Sequence, residues 1–294
     1  MSLSYSKKTI QWHCLLFLLF FGLLTVLYPT ISQAAELETD LVKIPLKLPD
    51  ANYNLDGKIY KPEGDGPFPL IVLTHGTPRT ATDRLLTNVN TYFRHQAAYF
   101  VKQGYVVLFV VRRGFGESSA PYAEATTLTA GRRNYTHAGL EAAKDLSAAI
   151  SFGKTLPYVN PSKIILVGQS TGGHSVIATG SLQIPGVIGI VNFAGGRGSY
   201  APDQVYNKED LIASMGFFGK TSRIPTLWLY ATNDHYFNPD LAQAMVKAYQ
   251  SAGGNAAFVT LPDFSDDGHR SFVGNQKAWS PAITAFLATL LQQK

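Results

Sequence analysis

Ser170 stands in the stretch KIILVGQSTGGHSV, residues 163–176, with Gly168 two positions before it and Gly172 and Gly173 just beyond. A run of β-formers leads in and a run of small residues leads out, so the serine falls where a buried strand ends and a helix begins. With 26 glycines in the chain, a G-x-S-x-G pattern arises readily by chance. The flanking elements give this one weight. A strained strand-to-helix turn exposes a serine hydroxyl above a sheet, and only small residues let strand and helix approach there. The bland alternative is a glycine-rich packing turn. A nucleophilic serine also needs a base to take its proton and an acid to orient that base. Asp234 lies three residues beyond the apolar run TLWLYA, and His269 follows the run AAFVTLP. Both fall on loops at strand ends, in the order serine, acid, histidine.

The other ionisable residues nearby read differently. Asp266 and Asp267 are the substitutes for the acid role, whereas His235 adjoins Asp234 and cannot readily turn to face it. His174 reads as packing within the helix after the serine, and His75 as a structural histidine of the loop THGTPR. That loop follows the first continuous apolar run, so its Thr77 N–H is one expected oxyanion donor. The N–H of Thr171, directly after the serine, is the other.

The elements that must position these groups follow from periodicity. LVKIPLKL (41–48) and LDGKIYKP (55–62) alternate and predict a pair of antiparallel strands. Continuous apolar runs at 69–76, 105–111, 163–168, 186–194, 226–231 and 256–261 predict strands covered on both faces. Helical stretches fall around 92–103 and 137–153, and from the cap pair Asn238-Pro239 to Gly253. A C-terminal helix is predicted from Ser280-Pro281. The alternation predicts an α/β fold: a mostly parallel central sheet of about eight strands flanked by helices, in one domain over residues 35–294. An insertion, residues 195–224, separates the last strands before the acid. Its apolar segment LIASMGFF (211–218) is not needed by that core, which predicts that Met215, Phe217 and Phe218 face the space above Ser170 as an acyl site. The alternative is a short extra helix on the flank.

Composition narrows the function further. Lys7 and Lys8 precede a 13-residue apolar run, Leu15 to Leu27, and the small residues Ser32 and Ala34 follow. This is the layout of a secretory signal over residues 1–34, and the run is short for the about 20 residues of a spanning helix. The expected location is secreted or periplasmic, with a retained anchor as the alternative. Cleavage would remove Cys14, the one cysteine, and lower the net charge from +5 to +3. Such a chain has no thiol nucleophile, disulfide or cysteine metal site. Its charge is spread without a basic block, which argues against nucleic-acid binding. GFFGKT (216–221) has Ser214 where a phosphate loop requires glycine, and RRGFGESS has Ser119 at the third glycine of a dinucleotide fingerprint. No cofactor or metal is therefore expected.

Taken together, the HG after the first buried strand, RRGFGES after the second, NPSKIILVGQSTGG, and the late Asp234 and His269 resemble the α/β-hydrolase superfamily. Within it the chain is most similar to dienelactone-hydrolase-like and prolyl-oligopeptidase-like members, over about residues 41–292. The resemblance implies an α/β-hydrolase sheet with Ser170, Asp234 and His269 as its triad. Two departures matter. The nucleophile is serine where the type dienelactone hydrolases use cysteine, so their substrate is not carried over. The peptidase members usually add a propeller domain, for which this chain has no room. The expectation is an exported serine hydrolase cleaving a small-molecule carboxylic ester through an acyl-enzyme, with no membrane contact once the signal is removed. The alternatives are a peptidase or acyltransferase with the same triad, a silent binding protein on this fold, and an anchored interaction protein.

Overall fold

Residues 37–292 are described by the computed structural model, and a single eight-stranded sheet runs through them. Its strands are β1 (Glu38–Lys47), β2 (Asn52–Lys61), β3 (Phe68–Thr74), β4 (Val106–Val111), β5 (Val159–Gln169), β6 (Val187–Phe193), β7 (Thr226–Ala231) and β8 (Ala256–Leu261). Their spatial order is β1-β2-β4-β3-β5-β6-β7-β8. The two alternating strands, β1 and β2, pair antiparallel at one edge, and β2 pairs antiparallel with β4. From β4 to β8 every pairing is parallel. All six residues of β4 and of β7 are buried, which is why these strands read as continuous apolar runs. The architecture is the α/β-hydrolase sheet that the sequence implied.

The helices are α1 (Ala81–Arg84), α2 (Arg94–Val101), α3 (Tyr135–Gly153), α4 (Thr171–Gly180), α5 (Lys208–Gly219), α6 (Pro239–Ser251), α7 (Ser271–Gly274) and α8 (Gln276–Gln292). α4 leaves β5 directly and every one of its residues is buried, which accounts for its small-residue composition. α6 is capped as expected: the Asn238 side chain accepts from the Leu241 N–H, and Pro239 opens the helix. α8 begins at Gln276, earlier than the Ser280-Pro281 pair suggested, with Pro281 inside it. Buried Trp279 holds the added turn by donating its indole N–H to the Phe272 carbonyl. This anchor offsets the backbone bond that the proline cannot make.

The parallel strands all point the same way, so their carboxyl ends form one rim, where open α/β sheets bind ligands. Thr77 follows β3, Ser170 follows β5, Asp234 follows β7 and His269 follows β8. The stretch read as an export signal, residues 1–34, lies outside the described residues.

Candidate active site

The turn between β5 and α4 explains its own glycines. Ser170 has φ 59° and ψ −124°, a conformation that a non-glycine residue adopts only under constraint. Its N–H donates to the Phe193 carbonyl (2.9 Å), and its carbonyl accepts from the N–H groups of His174 and Gly196 (both 3.1 Å). A Cβ on Gly168 would collide with the backbone of Gly172, and one on Gly172 would lie 2.6 Å from the His75 carbonyl oxygen. Strand, helix and the β3 loop thus meet at backbone distance around the serine. Gly76 comes equally close from the other side: a Cβ there would sit 2.9 Å from the Ser170 Cβ and 3.4 Å from Oγ.

Asp234 is buried at the exit of β7. One carboxylate oxygen accepts the N–H groups of Tyr236 (2.8 Å) and Phe237 (2.9 Å), and the other faces Nδ1 of His269 at 3.1 Å. With Nδ1 donating to the carboxylate, Nε2 is left with its lone pair. His269 sits in a one-turn 3₁₀ helix, Gly268–Arg270, capped by the Asp267 side chain, which accepts from the His269 N–H (2.9 Å). Its carbonyl accepts from the Gln169 side chain (3.2 Å), tying it to the residue next to Ser170. Tyr236 stacks on the imidazole at 4.1 Å and 11°, with Phe237 edge-on at 5.6 Å. Both aromatics, with Ser170, Thr77 and Thr171, line one cavity of about 210 Å³. The Ser170 hydroxyl and the imidazole are not hydrogen-bonded among the described contacts. Such bonds are often long without substrate and tighten in the Michaelis complex.

Thr77 and Thr171, expected to supply the oxyanion N–H groups, have their hydroxyls 2.7 Å apart. Thr171 is the first residue of α4, so its N–H has no partner within the helix. Beneath them lies a charged cluster that sequence reasoning missed. Arg112 donates to Glu124 (2.5 Å), to the Thr74 hydroxyl (2.8 Å), to the His75 carbonyl (2.5 Å) and to the Thr171 hydroxyl (3.1 Å). Arg197 reaches the same Glu124 at 2.8 Å and donates to Nδ1 of His174 (3.0 Å) and to the Ser175 hydroxyl (2.9 Å). All three charged groups are buried. Burial alone would raise the Glu124 carboxyl, but the two guanidiniums prevail and bring it down to about 2. Arg112 thus clamps the β3 loop to the start of α4, holding Thr77 and Thr171 in register. The available signal was Arg112 at the exit of a fully buried strand, because a charge there requires a buried partner. Spacing could not identify which acid.

The side chains of His75, His174 and His235 are engaged elsewhere. His75 is buried, accepts the Arg112 N–H at Nε2 (3.1 Å) and so donates from Nδ1 to the Gly76 carbonyl (2.6 Å). Burial, with help from Arg112, lowers it to about 3. His174 is likewise held well below the usual range by burial and by Arg197. His235 pairs with Asp203 at 2.9 Å on the surface, which raises it. Asp267 acts as a cap, and Asp266 is exposed.

The acyl site expected from the insertion is corrected. Residues 208–219 form α5, which packs on α3, α4 and α6, and none of Met215, Phe217 or Phe218 lines the Ser170 cavity. Met215 and Phe218 are buried, Phe218 with its ring edge-on to His174. Phe217 is 47% exposed and borders a separate basin on the flank with Arg132 and Lys220. Leu211, Met215 and Phe218 share one helical face, so the apolar residues were needed by the core after all.

Known proteins bear out the architecture. The family model described as serine aminopeptidase, S33, matches residues 82–208, a stretch that includes Ser170 and stops short of Asp234 and His269. The quorum-quenching protein AidA of Acinetobacter baumannii is 29% identical over 121 residues, 41% of this chain and 34% of its own length. The match therefore spans about a third of that relative. Among solved structures, a Klebsiella pneumoniae protein described as a dienelactone hydrolase superposes with TM-score 0.61 at 15% identity, covering 87% of this chain and 99% of its own. The Pyrococcus horikoshii acylaminoacyl peptidase gives 0.61 at 18%, over 88% of this chain and 42% of its own. An esterase of Pyrococcus furiosus gives 0.59 at 17%, over 86% and 90%. At these identities the solved structures speak for the fold alone: the chain has the α/β-hydrolase fold, and its residues 82–208 are similar to the S33 family model.

Proposed function

We propose that the chain is a serine hydrolase that cleaves a carboxylic ester by way of an acyl-enzyme. The supporting observation is the buried Asp234 paired with Nδ1 of His269, beside a serine held at φ 59° on a strand-to-helix turn. In this reading Nε2 of His269 takes the Ser170 proton as Oγ attacks the ester carbonyl. The N–H groups of Thr77 and Thr171 receive the developing oxyanion. Collapse breaks the carbon–oxygen bond, and the imidazolium gives its proton to the departing alkoxide. Water then attacks the acyl-serine and passes a proton to Nε2, and the second collapse frees the acid and returns that proton to Ser170.

An aminopeptidase, suggested by the S33 match, has less support. Binding a substrate ammonium calls for a free carboxylate. Glu124 is the one acid lining the cavity among the described residues, and both its oxygens are taken by arginines. Export to the periplasm or medium completes the proposal and rests on the N-terminal pattern alone. A chain recovered outside the cytoplasm is expected to begin at Ala35. The decisive test is a fluorophosphonate probe, with the adduct mapped to Ser170 and absent in Ser170→Ala. Equal labelling of that variant overturns the reading.

A further inference from the structure

The cavity beside Ser170 is small and its walls are cationic. At about 210 Å³ it falls below the usual volume of a drug-sized site. Three guanidiniums border it, those of Arg79, Arg84 and Arg197, against the single carboxylate of Glu124. Glu124 is consumed by Arg112 and Arg197, and Arg197 is in turn engaged with His174 and Ser175. Arg79 and Arg84 are different. Neither takes part in an ion pair among the described residues. Arg84 lies with its guanidinium 4.2 Å over the Tyr122 ring, and its Nε is shut away from solvent with no hydrogen-bond partner. Arg79 lies 4.1 Å over the Tyr236 ring and reaches only the Ser199 hydroxyl, at 3.3 Å.

Stacking on an aromatic ring holds a guanidinium plane and leaves its fork of donors free. Both cations belong to the chain between β3 and the end of α1, which also carries Thr77. Two oriented, unneutralised forks around a cavity that opens on the nucleophile form a receptor for a carboxylate, which takes a fork in bidentate fashion. We infer that the substrate is a small ester bearing a carboxylate a few carbons from the scissile carbonyl, seated against Arg84 and Arg79. The inference rests on the serine-hydrolase reading for the reaction, but its binding half can be measured without turnover.

The experiment has two arms. In the first, Ser170→Ala is titrated calorimetrically with monomethyl glutarate and with dimethyl glutarate. The monoacid is expected to bind roughly tenfold more tightly in 20 mM salt, with the gap narrowing as screening increases toward 0.5 M. In the second, wild type is assayed on mono(4-nitrophenyl) glutarate and on 4-nitrophenyl pentanoate. The ratio of the two kcat/KM values is compared with that of Arg84→Gln, Arg84→Lys and Arg79→Gln. Arg84→Gln is expected to reduce the preference by roughly tenfold and Arg84→Lys to keep part of it, because lysine retains the charge but not the fork. Equal binding of monoacid and diester within about threefold, or a preference that survives Arg79→Gln combined with Arg84→Gln, overturns the inference. Failure of the fluorophosphonate to label Ser170 overturns the reaction instead and leaves the binding comparison to be judged by itself.

Discussion

If Ser170, Asp234 and His269 act together as proposed, their substitution should show it. Ser170→Ala deletes one hydroxyl at a turn fixed by backbone contacts, so ester turnover is expected to fall by about 10⁴–10⁶ with the melting temperature little changed. Asp234→Asn is expected to cost roughly 10⁴ in kcat by misorienting the imidazole. Harmless Asp234→Asn combined with damaging Asp267→Asn would transfer the acid role. Gly76 gives an independent check, because its added Cβ would press on the Ser170 side chain. Gly76→Ala is expected to lower kcat by about 10²-fold, the scale for misplacing a reacting group by about 1 Å. At this scale the sequence was informative where chemistry sits at strand exits. Asp234 and His269 were expected as partners because each follows a continuous apolar run in the right order, and the structure brings them to 3.1 Å.

Among the elements, α5 separates two readings of the same apolar residues. Its buried face holds Leu211, Met215 and Phe218, and the α3–α4–α5 junction is so close that a Cβ on Gly139 would lie 2.8 Å from both His174 and Phe218. Phe218→Ala is therefore expected to destabilise the fold by about 3–5 kcal/mol, measured by urea unfolding. Selectivity across a panel of acyl chain lengths should not move, since Phe218 lies outside the cavity. Phe217→Ser should be close to neutral in both assays. The strands and the capped α6 were legible because period and cap chemistry are local signals. The role of LIASMGFF was not, because an apolar helix face does not reveal whether it covers a ligand or another helix.

For the molecule as a whole, buried ionisation sets the response to acid. His75 and His174 are held neutral, with folded values below the 6.5 of the unfolded chain. The stability they contribute is present above 6.5 and is lost as pH falls, at about 1.4 kcal/mol per pH unit for each. Asp145 runs the other way: burial pushes it up to about 7 against the pull of Arg113, so it returns one such increment as pH falls. His235, raised by Asp203, adds a small gain of the same sign at the surface. The two histidines outweigh the one aspartate, so the net expectation is a fall in stability as pH drops below 6. Glu124, folded near 2 against 4.5 in the unfolded chain, adds its own loss as pH falls from 4.5 toward 2. Urea midpoints at pH 7.5, 6, 5 and 4 check this, and stability that is flat or rising over that range contradicts it. Glu124→Gln is expected to cost about 3–5 kcal/mol at pH 7 by leaving buried guanidiniums without their carboxylate. The Arg112–Glu124–Arg197 cluster was not legible from spacing, since Glu124 lies 12 positions from Arg112 and 73 from Arg197. The order of the sheet has a last consequence, in time. The serine turn and its glycines belong to the first 180 residues, whereas Asp234 and His269 arrive with β7 and β8, the final two strands at the far edge. On the proposed reading, a chain emerging from the ribosome displays its nucleophile long before it owns a base, and would stay chemically silent until synthesis is nearly finished.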